Sequence, residues 1–427
     1  MRIVLAVVVM RAVCPWSRLA RPPVVAVDLR WLRRVVSTSS TSGGHGHAPE
    51  PHPQEPPLVE LVETPRQTGH HLGPPGPPPH HKEPLVHVGV DSFVSRVTDP
   101  TTGHVVGPAE RLAHLLEEIE LADRSGLYSF GIGEHHREEY YDSAPPVILA
   151  AAAARTTRIR LGSAVAVLSA VDPVRLFQQF ATLDLISGGR MDLVVGRGSF
   201  VESFPLFGLD LADYDSLFTE KLELLLALRE SPCVTWSGRH RPALTGQGVY
   251  PRPVQDPLPV WVGVGGTPAS FARAGQLGLP LMVAIIGGEP RQFAPLVDLY
   301  RRAGAQAGHP PEALQVGLHV FGYVGESRRA AADTIFPGWH EMFTSISRER
   351  GFPPPNRAAF DATSGPDGAF FLGDPDLIVD KLTRVADQLG GVDRVSLQMT
   401  NPRLAHEDLL RGIELLGTEV APRVAAL

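Results

Sequence analysis

The chain places its most chemically capable residues where apolar runs end. Leu127-Tyr128-Ser129-Phe130 leads into Gly131-Ile132-Gly133-Glu134-His135-His136-Arg137. Polar, titratable groups at a strand end lie where an α/β barrel keeps its active site, and imidazole is the side chain best suited to moving protons near neutral pH. Taken alone, the same residues also fit a surface turn with two solvated histidines. Two further glycine-flanked strand ends follow downstream. Gly196-Arg197-Gly198-Ser199 combines a rigid five-donor cation with glycines that let backbone approach a ligand closely, which suits a phosphate. A structural ion pair at a barrel mouth would use the same arginine. Gly263-Val264-Gly265-Gly266-Thr267-Pro268-Ala269-Ser270 leaves a strand through glycines and opens a helix, with Thr267 at the N-cap and Pro268 at the first helical position. Such a helix start favours an anion, although an ordinary capped helix reads the same way. It is not a G-x-G-x-x-G dinucleotide fingerprint. In Gly162-Ser163-Ala164-Val165-Ala166-Val167-Leu168 the small residues leave room for a flat ring against backbone, and a packed strand is the plainer account.

These strand ends need a frame that gathers them. Apolar strand runs alternate with helical periods along the chain. Strands are expected at Leu85–Phe93, Leu127–Glu134, Arg158–Leu168, Met191–Val195, Leu258–Val264, Pro280–Ile286, Val316–Val324 and Arg394–Met399. Between them lie helical stretches such as Glu110–Ser125, an alanine-dense Pro145–Thr157, and Pro173–Ile186 closed by Ser187-Gly188-Gly189. Residues 200–215 read as an insertion and Val234–Gly248 as a short excursion. The stretch with Phe336-Pro337-Gly338-Trp339 and Pro353-Pro354-Pro355 reads as irregular. Eight strands alternating with helices imply an α/β fold, a (β/α)8 TIM barrel with insertions over residues 85–427.

Composition narrows the functional classes. The 427 residues are 43% hydrophobic with a net charge of −7 and no basic stripe, which argues against nucleic acid as a partner. Two cysteines, Cys14 and Cys233, cannot make a disulfide framework or a cysteine metal site, so a reducing cytoplasm is expected. No apolar run exceeds that of Ile3 to Met10, which falls far short of the ~20 residues of a membrane span. Residues 1–84 differ from the rest: residues 49–84 hold 12 of the 41 prolines and residues 45–81 hold seven of the 17 histidines. Such a stretch cannot bury enough apolar surface to offset its ordering entropy, so a disordered extension, or upstream translated sequence ahead of a true start near Val86, is expected. A short secretion signal, interrupted by Arg11, and a histidine-rich metal chelator are the competing readings.

The motifs together carry a resemblance. Gly133-Glu134-His135-His136, Pro146 opening an alanine helix, Arg158 to Ala164, Asp172-Pro173-Val174-Arg175 and Asp184 to Arg190 are similar to the bacterial luciferase-like flavin monooxygenase family. So are Gly196-Arg197-Gly198, Phe204 to Gly208, Val260 to Thr267 and Leu279-Pro280. The resemblance runs from about Val86 to the C-terminus. It implies a (β/α)8 barrel that binds reduced FMN, or in some members the deazaflavin F420. It also implies His135 as the active-site histidine with Glu134 beside it, and Arg197 on the FMN phosphate. Gly266, Thr267 and Ser270 would lie in the second phosphate element, and Ala164–Val165 at a non-prolyl cis peptide under the isoalloxazine. Where luciferase carries a reactive cysteine before that arginine, this chain has Gly196, which speaks against light emission but not against flavin.

The function so implied is a monooxygenase that uses reduced FMN and O2 on a small organic substrate, with a separate flavin reductase as the source of reductant. A homodimer through the second and third barrel helices is implied as well. An F420-dependent oxidoreductase and a flavin-binding barrel without turnover are the alternatives. A metal hydrolase using Glu134, His135 and His136 is disfavoured, because adjacent strand residues point to opposite faces.

Overall fold

The computed structural model describes residues 86–425, so the expected extension over residues 1–84 lies outside the described residues. Twelve strands form: β1 (His87–Ser92), β2 (Ser129–Ile132), β3 (Arg160–Ser163), β4 (Ala166–Val167), β5 (Met191–Gly196) and β6 (Cys233–Trp236), then β7 (Leu244–Gly248), β8 (Val260–Val264), β9 (Leu281–Ile285), β10 (Val316–Val324), β11 (Phe371–Gly373) and β12 (Arg394–Gln398). Eight of them close a parallel barrel in the order β1-β2-β3-β5-β8-β9-β10-β12 and back to β1. The register runs round the ring through Val90↔Phe130, Phe130↔Leu161, Leu161↔Met191, Leu193↔Val260, Val262↔Leu281, Val283↔Leu318, Leu318↔Val395 and Val395↔Val88. Each barrel strand is almost wholly buried, as strands covered on one side by helices and on the other by a packed lumen must be. The expected excursion is the antiparallel hairpin β6–β7.

Helices cross over between the strands at Pro108–Arg124, Pro145–Ala153, Pro173–Ser187, Tyr214–Glu230, Pro268–Gln276, Ala294–Gln306 and Pro375–Gln388. The third shows how local sequence sets its limits. Asp172 accepts from the amides of Val174 and Arg175, Pro173 opens the first turn, and Gly188 ends it at φ +67°. No helix among the described residues is long and apolar enough to cross a membrane.

The lumen is polar at its floor. Asp192, at the start of β5, sits between Arg160 at 2.6 Å and Arg394 at 2.7 Å. Burial pushes its carboxyl up, but the two guanidiniums hold it below the ordinary value. Arg394 in turn lies 4.4 Å over Trp261, which packs with Val194, Met282 and Val165. With the floor closed, the C-terminal strand ends are the open face, the one on which barrel enzymes build their sites.

Two expectations require correction. The third strand is not continuous from Arg158 to Leu168: β3 ends at Ser163, the Ala164–Val165 peptide is cis, and β4 resumes at Ala166. The stretch read as irregular is irregular at Pro353-Pro354-Pro355, but its Phe336-Pro337-Gly338-Trp339 part lies in a 23-residue helix, Arg328–Arg350, which runs through Pro337. A mid-helix proline forgoes a hydrogen bond and crowds the preceding turn, at a cost of about 3 kcal/mol. Packing offsets that cost. Ile335, Trp339 and Ile346 are buried, and Trp339 packs at tilted angles against Phe343 at 4.9 Å and Phe360 at 5.0 Å. Ser327 caps the start through the Ala330 amide, and Gly351 ends it at φ +66°.

Candidate active site

The chain leaves β2 at Ile132 and passes Glu134-His135-His136 as extended coil at the open face. Gly133 must be glycine here, since an added Cβ would stand 2.7 Å from both Phe93 Cδ1 and Asp142 Oδ2. The crowding has a purpose. Asp142, fully buried, accepts from the His135 amide at 3.1 Å and lies 2.8 Å from His135 Nδ1. Burial pushes the Asp142 carboxyl above its ordinary value, and the neighbouring His135 pulls it back down. With Nδ1 as the protonated nitrogen, the form that a carboxylate partner demands, Nε2 is the edge left for proton exchange. Aromatic rings fix the imidazole: Tyr140 at 4.5 Å, Phe93 edge-on at 4.8 Å and Phe200 edge-on at 5.5 Å.

Its neighbours face elsewhere. His136 Nε2 meets Glu134 Oε1 at 3.2 Å and its ring meets Phe207 edge-on. The other Glu134 oxygen accepts from the Val167 amide at 2.8 Å, so the carboxylate ties the β2 end to β4. Among the described residues no three His, Cys, Asp or Glu side chains are grouped to hold a metal ion. A second imidazole–carboxylate pair lies deeper: His319 of β10 is 2.7 Å from Asp91 of β1, both buried, and its ring stacks on Phe93 at 5.5 Å. Phe93 therefore separates two anchored imidazoles.

Val165, in the cis peptide Ala164–Val165, lies against the neighbouring strand ends. A Cβ on Gly196 would come within 2.6 Å of Val165 and one on Gly263 within 2.8 Å, so both glycines are required by its bulk. Arg197 follows at once. Its Nη1 donates to Asp215 at 2.6 Å, its Nη2 to Ser270 Oγ at 3.4 Å, and the guanidinium lies 5.1 Å over the Tyr214 ring. Ser270 is in the first turn of the Pro268–Gln276 helix. Gly266 precedes it at φ +114°, and Thr267 occupies the N-cap without a side-chain capping bond, contrary to the expected hydroxyl cap.

The expected residues thus fall into two linked groups, Glu134 and His135 with Ala164–Val165, and Gly196 and Arg197 with Gly266, Thr267 and Ser270. Sequence reading missed Asp142, the Asp91–His319 pair, Tyr140, Phe200 and Asp215. A signal existed for one pair: Asp91 and His319 are polar residues inside otherwise apolar strand runs.

The luciferase-like monooxygenase family matches the chain over residues 91–392. The chain belongs to the luciferase-like monooxygenases. Among solved members of this fold it is similar to the monooxygenase RslO1 of Streptomyces bottropensis, with 25% identity, a TM-score of 0.70, and coverage of 80% of this chain and 100% of that one. The same fold appears in the oxygenating constituent of 3,6-diketocamphane monooxygenase from Pseudomonas putida, solved in complex with FMN (17% identity, TM-score 0.61, 79% and 98% covered). It appears again in the coenzyme F420-dependent tetrahydromethanopterin reductase of Methanopyrus kandleri (21% identity, TM-score 0.61, 79% and 99% covered). Membership in the luciferase-like family makes this chain an oxidoreductase, and its structural neighbours include both FMN- and F420-dependent enzymes.

Proposed function

We propose that the protein is a flavin-dependent monooxygenase that uses reduced FMN and O2 to oxygenate a small organic substrate. The observation that carries the reading is the meeting of Arg197 with Ser270 at a helix start on the open face of the barrel, beside the strand end that carries His135. The donors fit a phosphate. Arg197 offers a planar cation, Ser270 and Thr267 offer hydroxyls, and the helix start adds its own positive field. Asp215 already holds one edge of Arg197, but it is well exposed, and such a pair contributes little. The small residues about Ala164–Val165 would face the ring.

The bound flavin supplies the oxygen chemistry, and the chain supplies placement. His135, held by Asp142, would take or give a proton at Nε2. Phe93, Tyr140 and Phe200 would keep water from that edge. Glu134, with both oxygens engaged, would position the strand ends rather than move protons. Reducing equivalents would come from a separate flavin reductase, the site would lie in the cytoplasm, and the working form would be a homodimer.

Flavin titration of the wild type and of Arg197→Ala tests the reading. A charge-assisted hydrogen bond contributes about 1.5–3 kcal/mol, so the variant should bind FMN roughly 10- to 150-fold more weakly. His135→Ala should keep its flavin and lose about 10²–10⁴-fold in turnover. Equal titrations with F420 decide the cofactor. Loss of flavin in His135→Ala with retention in Arg197→Ala would overturn the placement.

A further inference from the structure

A cavity of about 550 Å³ lies on the far side of the rings that cage His135, and it is distinct from the Arg197–Ser270 cleft. Its volume is that of a ligand site for a small organic molecule. Tyr140 and Phe200 form the wall toward His135. Pro337, Met342, Ile346 and Arg348, all on the Arg328–Arg350 helix, form much of the opposite wall.

Among the polar side chains of this cavity, those of Tyr140 and Arg348 have no hydrogen-bond or ion-pair partner among the described residues. Tyr140 is only 9% exposed, its ring stacked on His135, and its hydroxyl has no partner among the described residues and is open to the cavity. Arg348 has no ion pair. The other charges that line the cavity are engaged: Arg96 with Glu138, Arg137 with Glu139, Glu202 and Glu349, and Glu341 with Arg403. Arg348 is therefore the lining arginine without an ion pair, and the hydroxyl left free to meet a ligand is a phenol next to the imidazole.

We propose that this cavity is the substrate chamber, and that it takes a flat aromatic compound whose oxygen substituent meets the Tyr140 hydroxyl and whose acidic group meets Arg348. The ring lies between Phe200 and the apolar residues of the helix. Tyr140 stacks on His135 at 4.5 Å, so a substituent held at its hydroxyl is presented beside the proposed proton-transfer residue. Arg348 and Tyr140 are specificity residues in this arrangement. As a statement about substrate the proposal rests on the flavin reading, but the binding it claims is measurable without any flavin.

The test is fluorescence titration of the flavin-free chain with 2-naphthol and 2-naphthoate, with FMN titrated into parallel samples. Wild type should bind both probes saturably. Tyr140→Phe should weaken 2-naphthol about three- to tenfold, the loss of one hydrogen bond. Arg348→Ala should weaken 2-naphthoate by a similar factor and leave 2-naphthol within about twofold, a discounted ion pair at an exposed residue. Both substitutions leave the packing untouched, and thermal melts of the variants should coincide with wild type. The proposal is overturned if wild type binds neither probe, if the variants bind both like wild type, or if FMN displaces the probes. An FMN titration that fails while the probes behave as stated would remove the flavin reading and leave the chamber standing.

Discussion

His135 depends on a residue seven positions away. Asp142 fixes the imidazole through two contacts, one to its amide and one to Nδ1, and so selects which nitrogen faces the site. It is a positioning residue, and Asp142→Asn keeps its volume while removing the charge. Turnover should fall at least tenfold with flavin affinity unchanged, because an amide no longer demands a proton on Nδ1 and no longer supports an imidazolium. A fall in flavin affinity with kcat intact would refute this assignment. Asp215 gives a test of opposite sign. It competes with a phosphate for Arg197, and exposed pairs are worth about 0.2–1 kcal/mol, so Asp215→Asn should tighten FMN binding up to about fivefold. The strand ends that carry Arg197 and His135, and the helix start that carries Ser270, were legible in the sequence because glycines and helix-start signals surround them. Asp142 and Tyr140 were not, since a loop contact leaves no periodicity to read. Asp215 sits on a helix surface, where an acid is unremarkable.

At the scale of elements, regular strands were the readable part. Val316–Val324 is recovered residue for residue, because a fully buried parallel strand is a continuous apolar run bounded by turn residues. The Arg328–Arg350 helix was illegible for the opposite reason. Pro337-Gly338 is a strong local breaker, and what overrides it is aromatic packing against Phe360 and Phe370, distant in sequence. A buried lysine holds the following segment in place. Lys381 Nζ donates to the carbonyls of Gly365 at 2.9 Å and Phe370 at 2.6 Å, and burial lowers its pKa to about 7. The unfolded value is near 10.4, so between about pH 7 and 10 the unfolded chain binds more protons than the folded one. Stability from this group therefore rises with pH across that window, by up to about 1.4 kcal/mol per unit, and is flat below it. Urea melts of wild type and Lys381→Met should show the gap between them moving in favour of wild type from pH 6 to pH 9. A gap that stays constant would mean the lysine does not titrate there.

The proposed homodimer belongs to the whole molecule. The Pro145–Ala153 helix buries Leu149, Ala152 and Ala153 against the barrel but leaves Val147 70% exposed, with Ala151 and Ala154 exposed at the following helical positions of the same face. The next helix, Pro173–Ser187, exposes Leu185 at 46% and Ile186 at 53%. Apolar residues on the outer face of two neighbouring helices, one of them small enough for close approach, suit a second copy of the chain. In a twofold interface every residue appears twice, so a single charged substitution is felt twice. Val147→Glu and Ile186→Asp should each weaken the dimer by about 2–5 kcal/mol, at least thirtyfold in dissociation constant, by removing apolar burial and forcing a charge into the contact. Neither residue touches the Arg197–Ser270 cleft or His135, so flavin affinity should hold in the resulting monomer. Light scattering and sedimentation at micromolar concentration read the first effect, and flavin titration reads the second. A wild type that is already monomeric under those conditions would end the dimer proposal. Variants that stay dimeric would move the interface to another face.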